Sequence, residues 1–406
     1  MAVKVEEALE LIYKSIEKKP LKLLPIEQAL GFVLAQDVEA THNLPPYDNS
    51  AMDGYAVKLE DAGNCVKVKH TIFAGDNSHE VLACGSAIKI MTGAKIPDGC
   101  ECIVPVEDTT ECEDGVVLPQ NLTLAKHIRR CGEDIESGCS LLVSGERLYA
   151  HHITLLASQG ISHIKVYQKP LVALFASGSE LKMHFQSVES YQLYNTNTPT
   201  LMARALELGC EVDFIGTAED TLEDLKAHIK SALKSDLIIT SGGVSVGDAD
   251  FTKEAFGAFG YDIFFDKVEI KPGKPTTFGR IGDTLALNLP GNPLAAALNF
   301  ELFGVSAILG LSGDNAKYLN TINAKIKDDY RLKAGRRTLV PGWFDGEFFT
   351  PCENFAPGMV SPLAISNSYI MVDEACGFLA CESKVKIIPT RFSFNSKNMV
   401  NLVSGC

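Results

Sequence analysis

The chain has 406 residues, of which 46% are hydrophobic and 22% charged, the profile of an ordinary globular protein with room for about two to four domains. Its 37 Lys and Arg stand against 51 Asp and Glu, a net charge of −14. That balance argues against general binding to nucleic acid or an anionic membrane, and it means that an anionic ligand needs a local basic island. The first residues, MAVKVEEALELIYKSIEKK, carry acidic side chains inside their apolar pattern and do not read as a secretory signal. Val5, Ala8, Leu9, Ile12 and Ile16 recur at helical spacing. From Leu44 to Pro119 short apolar runs alternate with Gly, Pro, Asn and Asp, which predicts a β-rich region with many turns. Residues 144–160 are predicted as helix, closing at Gly160.

From Lys169 the texture becomes strand alternating with helix. PLVALFASG, EVDFIGT, DLIITSGG and LALNL are predicted as strands. Helices are predicted at Pro199–Leu208, with Asn197 or Thr198 as cap, at LEDLKAHIKSAL, at Phe251–Phe259 and from Asn292-Pro293 onward. This alternation predicts a largely parallel sheet with helices on both faces. The apolar stretch Leu294–Leu311 is interrupted by Asn299 and Glu301, so it reads as a buried helix and not as a membrane span. The cytosol is therefore the expected compartment. After Asp314 the runs NAKIKDDYRL, YIMVDEA and KVKIIP predict a small β-barrel or sandwich. None of the 12 cysteines is in a CxxC pair, so they are expected as small buried hydrophobes or inert thiols and not as a zinc site.

Four segments carry chemistry. In DLIITSGGVSVGDADF a buried strand runs into Ser241-Gly242-Gly243 and then into a helix. Glycines there let backbone N–H groups approach a phosphate, and ligands of open α/β sheets bind at this edge. Asp248 and Asp250 follow and are placed to hold Mg²⁺, although Asp250 is equally placed to cap the next helix. In DKVEIKPGKPTTFGR, Lys267, Lys271, Lys274 and Arg280 form a basic island on a stiff turn, suited to an oxyanion. NLPGNPLAA turns at Pro290-Gly291 and restarts as helix at Pro293 on the same sheet edge. PPYDNSAMDGYAV is dense in turn residues around Asp53. Two more carboxylates, Glu180 and Asp220, follow strands. No Walker A loop or complete dinucleotide fingerprint is present.

PPYDNSAMDGYAV, IMTGAKIPDG, RRCGEDI, TSGGVSVGDADF, KPGKPTTFG and LPGNPLAA follow one another along the chain. In that order they resemble the molybdopterin molybdenumtransferases, and the C-terminal domain of gephyrin-type proteins, over essentially the whole chain. The resemblance implies a multidomain α/β protein. A helical linker domain would comprise 1–40 together with 138–166, with an inserted β-rich domain at 41–137. A doubly wound, molybdopterin-binding α/β domain would span 167–315, followed by a C-terminal β-barrel at 316–406.

The resemblance further implies an elongated homodimer with a composite active site, supplied by a molybdopterin adenylyltransferase as upstream partner. The reaction would insert molybdate into adenylylated molybdopterin and release AMP, with Mg²⁺ present. By motif, Asp53 and Thr92 would come from the inserted domain, with Glu180, Asp220 and Asp250 as acidic site residues and Asp250 and Glu180 near the metal. Lys267, Lys271 and Lys274 would face phosphate or molybdate; Ser241, Gly242, Gly243 and Ser245 would line the pterin phosphate pocket, beside Pro290 and Pro293. Ser179 stands where the family usually has Asp, and Pro341 where it commonly has Arg, with Arg336 and Arg337 as the neighbouring replacements. The alternatives are the adenylyltransferase step itself and a non-catalytic scaffold; the two extra β regions argue against the former, and the absence of a fused adenylyltransferase region against the latter.

Overall fold

The computed structural model describes residues 2–77, 79–243 and 251–391. At its centre is a sheet whose strands, in chain order, are β1 (Leu171–Ser177), β2 (Glu211–Ala218), β3 (Leu237–Ser241), β4 (Asp262–Phe265), β5 (Thr277–Ile281) and β6 (Thr284–Leu289). Across the sheet they stand in the order β2-β1-β3-β6-β5-β4. The first four are parallel; β5 runs antiparallel to both β6 and β4. The predicted parallel sheet therefore has an antiparallel edge, because the KPGKP turn returns the chain from β4 to β5 without a crossover helix.

Helices cover both faces of this sheet. In chain order the helices are α1 (Val5–Ser15), α2 (Ala150–Ser158, which packs in the linker region and not on this sheet), α3 (Asn197–Glu207), α4 (Leu222–Ala232), α5 (Phe251–Gly257), α6 (Pro293–Asn299) and α7 (Val305–Leu311). Alternation along each strand sorts the core. Val172, Leu174, Leu237 and Ile239 pack with α1, α3, α6 and α7 on one face. Ala173, Phe175 and Ile238 pack with α4 and α5 on the other. Strands buried on both faces read as continuous apolar runs, which is why PLVALFASG and DLIITSGG were legible. The stretch from Pro293 to Leu311 is long and apolar enough to cross a membrane by composition, but 83% of it is buried inside the protein. It forms α6, a π-helical turn at Phe300–Gly304 and α7.

Leu21–Pro25 pairs antiparallel with His163–Tyr167, and Ile26, Leu34, Leu142, Leu156 and Ile164 share one apolar cluster with them. The helix expected over 144–160 is confined to α2; the preceding residues turn at Gly145, where φ is +94°, a conformation that interrupts a helix. Between these segments lies a six-stranded sheet running from Gly54–Val57 to Gly115–Val117 in sequence. Cys65 and Cys112 are joined there by a disulfide, against the expectation that all cysteines are unpaired. Burial pushes the Cys100 and Cys210 thiols up to about 12, which keeps them inert. After α7 five strands close a barrel. Its Leu339 and Tyr369 reach into the core of the α/β sheet.

Candidate active site at the carboxyl edge of the sheet

From β1 the chain crosses to β2 on one side, then returns past it to β3 on the other. Such a reversal opens a crevice at the carboxyl ends of the strands, the usual ligand site of open α/β sheets. Here it is a cavity of about 940 Å³.

Each strand end contributes to it. β1 ends at Ser177, which is buried and donates from Oγ to Asp220 Oδ1 at 2.6 Å. Asp220, just beyond β2, also accepts from Ser179 N at 3.3 Å. Glu180 lines the cavity, and among the described residues its carboxylate has no hydrogen-bond partner. β3 ends at Ser241 and passes into Gly242 and Gly243, with φ of +98° and +68°. A Cβ on Gly242 would collide with the Ser177 carbonyl, and one on Gly243 with Thr252 Oγ1. Glycine is therefore required at both positions, and the floor of the cavity is bare backbone. β6 is followed by Pro290, Gly291, Asn292 and Pro293, all on the lining. The first turn of α3 opens on the same space through Thr196 and Asn197, adding the positive end of a helix dipole. Gly358 and Val360, just beyond the barrel strand Phe348–Pro351, close it from above.

Of the residues expected at the site, the cavity gathers Glu180, Asp220, Ser241, Gly242, Gly243, Pro290 and Pro293. Ser245 and Asp250 lie outside the described residues. The three lysines are not on its lining. Lys267 and Lys274 belong to the connection between β4 and β5, whose backbone is held by Val268 N donating to Lys274 O at 2.9 Å. Lys271 is pinned to the barrel by Arg337 O and Leu339 N and lines a separate crevice of about 320 Å³ with Arg331 and Lys333. The turn between them is stapled from α6, where Asn299 Nδ2 donates to Pro272 O at 3.0 Å.

Asp53 and Thr92 meet in the inserted sheet region: Thr92 donates from N and Oγ1 to Asp53 Oδ1 at 2.7 and 2.9 Å. These bonds hold the Asp53 carboxyl below its ordinary value. No described residue of 41–137 lines the large cavity. Pro341 is buried in a barrel strand. Arg337, one of its two expected replacements, is bound to both oxygens of Glu6 at 2.6 and 2.7 Å, while Arg336 is exposed.

Sequence reasoning gave Asn197 and Asn292 only as helix caps. The cap position of α3 falls to Thr196, with Asn197 the first helical residue, and Asn292 caps α6 without a side-chain bond; both asparagines line the cavity. Ser177, Gly358 and Val360 carried no sequence signal. A second, apolar cavity of about 570 Å³ adjoins the first and shares Tyr194, Asn197, Pro293 and Val360 with it. Among the described residues no group of three or more His, Cys, Asp or Glu side chains is placed to hold a metal ion.

Three family models cover the chain in order: "MoeA N-terminal region (domain I and II)" at residues 3–160, "Probable molybdopterin binding domain" at 173–309 and "MoeA C-terminal region (domain IV)" at 323–390. The molybdopterin molybdenumtransferase of Haemophilus influenzae is 34% identical over 390 residues, 93% of this chain and 96% of the relative. That of Staphylococcus aureus is 33% identical over 385 residues, 91% of each. A crystal structure of a molybdopterin biosynthesis MoeA protein from Pyrococcus horikosii superposes with a TM-score of 0.84 at 28% identity, covering 97% of this chain and 100% of that one. By these matches the chain belongs to the molybdopterin molybdenumtransferase family.

Proposed function

We propose that the protein is a transferase of molybdenum cofactor synthesis that inserts molybdenum from molybdate into adenylylated molybdopterin and releases AMP. The observation that carries this reading is the glycine-floored cavity at the switch point of the sheet, with Glu180 and Asp220 on its rim, in a chain of this family. The bare Gly242-Gly243 backbone and the α3 dipole receive the phosphate groups. Glu180 and Asp220 stand beside them as acidic groups, and Lys267, Lys271 and Lys274 draw the oxyanion toward the cavity mouth from the β4–β5 connection.

Mg²⁺ fits the chemistry of this rim, since carboxylate oxygens are the hard donors it prefers. Glu180, unpartnered among the described residues, would hold it, with Asp250 from beyond them. Held there, Mg²⁺ would supply positive charge against the phosphate groups.

We further propose that the protein acts as a homodimer in the cytoplasm, the inserted region at 41–137 bringing Asp53 and Thr92 to the cavity of the partner subunit, as no described residue of 41–137 lines the chain's own cavity. The linker domain comprises 1–40 with 138–166, its first helix docked on the α/β domain at 167–315, and the barrel domain follows from 316. A molybdopterin adenylyltransferase supplies the substrate.

The test is AMP release from adenylylated molybdopterin by purified protein, with and without molybdate and Mg²⁺. Release that requires both is the expected result. Nucleotide that stays bound and intact under all conditions refutes the proposal.

A further inference from the structure

We propose that Asn197 is a positioning residue of this site: its side chain clamps together the two loops on which the phosphate end of the substrate rests. The inference builds on the function proposed above.

Asn197 is the first residue of helix α3, one past the cap position that Thr196 occupies, and its side chain reaches across the sheet edge. Its Nδ2 donates to Ser241 Oγ at 2.6 Å and to Gly291 O at 2.7 Å. A carbonyl oxygen only accepts, so the Gly291 contact fixes which end of the amide points inward. Both N–H groups are spent, one on the loop after β3 and one on the turn after β6. Ser241 Oγ in turn donates to Pro290 O at 3.3 Å. Its hydroxyl, 2% exposed, is thereby committed to the same turn and has no proton left for a ligand.

The two loops lie close at glycine: a Cβ built on Gly291 would lie 3.4 Å from Gly242 Cα. Gly242 N donates to Leu289 O at 3.3 Å, and the Asn197 amide adds a side-chain link between the loop after β3 and the turn after β6. Asn197 also lines both the polar and the apolar cavity, so it stands on the divide between them. A neutral amide with both donors engaged has no proton to transfer. Its effect passes through the placement of Gly242 and Gly243.

The test is Asn197→Asp, which keeps size but cannot donate and turns an anionic oxygen toward the Gly291 carbonyl. With adenylylated molybdopterin as substrate, KM is expected to rise about tenfold while kcat changes less than about threefold, the signature of lost substrate placement without lost chemistry. Ser241→Ala removes one of the two acceptors, and the double variant is expected to be no worse than Asn197→Asp alone. A lowered melting temperature with unchanged KM would reduce Asn197 to a structural residue and overturn the proposal, as would additive effects in the double variant. If the wild type releases no AMP at all, the functional reading fails. The clamp is then judged by calorimetric titration with AMP alone: about tenfold weaker binding in Asn197→Asp supports it, and equal affinity, or no AMP binding by the wild type, overturns it.

Discussion

Ser177 Oγ donates a 2.6 Å hydrogen bond to Asp220 Oδ1, tying the last residue of β1 to the loop beyond β2. The bond lies beside the reversal of winding between β1 and β3, and Ser177 is only 5% exposed. Asp220→Ala leaves a buried hydroxyl without its acceptor, which costs about 1–3 kcal/mol, and it removes a carboxylate from the cavity rim. Both a lower melting temperature and reduced AMP release are expected. Wild-type turnover in this variant at limiting molybdate would mean that the cavity is not where the chemistry occurs.

Gly242→Ala acts through the backbone. The new methyl would meet the Ser177 carbonyl, and the φ of +98° is one that alanine rarely adopts. Neither obstacle is a flexible side chain, so the loop itself must shift. Circular dichroism is expected to show an intact fold, while AMP release falls at least about tenfold, given a backbone strain of about 1–3 kcal/mol concentrated at the site.

Thr92 sets the charge of Asp53. Its backbone N–H and then its hydroxyl favour the carboxylate form. Asp53 therefore keeps its charge as pH falls through the ordinary carboxylate range, and gives it up only at lower pH. Thr92→Ala removes the hydroxyl bond and retains the N–H bond, so the Asp53 titration midpoint is expected to move up toward its ordinary value. Carbon-13 NMR titration of the Asp53 carboxyl reads this directly; an unmoved midpoint would show that the hydroxyl bond does not form in solution.

A composite site makes a prediction that a self-contained one does not. Asp53→Ala and Asp220→Ala are each expected to be inactive or nearly so. If Asp53 serves the partner's cavity, mixing the two after subunit exchange gives heterodimers with one intact site of two. About a quarter of wild-type activity should then return. A mixture no more active than its components would place Asp53 outside the partner's site.

Arg204 and Glu301 form a bidentate pair between α3 and the π-helical turn, with Nε–Oε1 at 2.8 Å and Nη2–Oε2 at 3.1 Å. Burial raises the Glu301 carboxyl pKa, with Arg204 only partly opposing it. Burial likewise works against the Arg204 charge, but the carboxylates of Glu301 and Glu207 outweigh it and keep the guanidinium protonated. Arg204→Met strands the Glu301 charge and is expected to cost about 3–5 kcal/mol at neutral pH. A carboxyl whose folded pKa lies above its unfolded value stabilises most fully below the unfolded value, and that contribution is lost as pH rises through the folded one. The deficit of Arg204→Met should therefore shrink as pH falls toward about 4. Denaturant unfolding across pH measures it; a deficit independent of pH would assign the loss to packing alone.

The central sheet was readable because β1, β3 and β6 are buried on both faces and so carry unbroken apolar runs. The β4–β5 edge was not, since DIFF and TFGRI are short and flank a segment whose lysines drew attention to charge. The helix over 144–160 was overdrawn because apolar spacing continues through Leu148, while the left-handed turn at Gly145 already breaks it. Of the site, the glycines and strand-end carboxylates were legible, being residue types with a local reason to sit where they do. Asn197 was not, because an Asn before a helical pattern has a sufficient local explanation as a cap.

The sequence by itself determined the family, through six ordered motifs, and the alternation of strand and helix that makes the α/β sheet, through periodicity and turn residues acting over a few positions. Only the tertiary structure decided that Asn197 meets Ser241 and Gly291, 44 and 94 positions away, and that Lys271 is pinned to the barrel and not to the large cavity. The difference is physical. Burial and backbone preference act on each residue in place, whereas a hydrogen bond forms only when two groups arrive within about 3 Å in the right orientation, and that depends on how every intervening element packs.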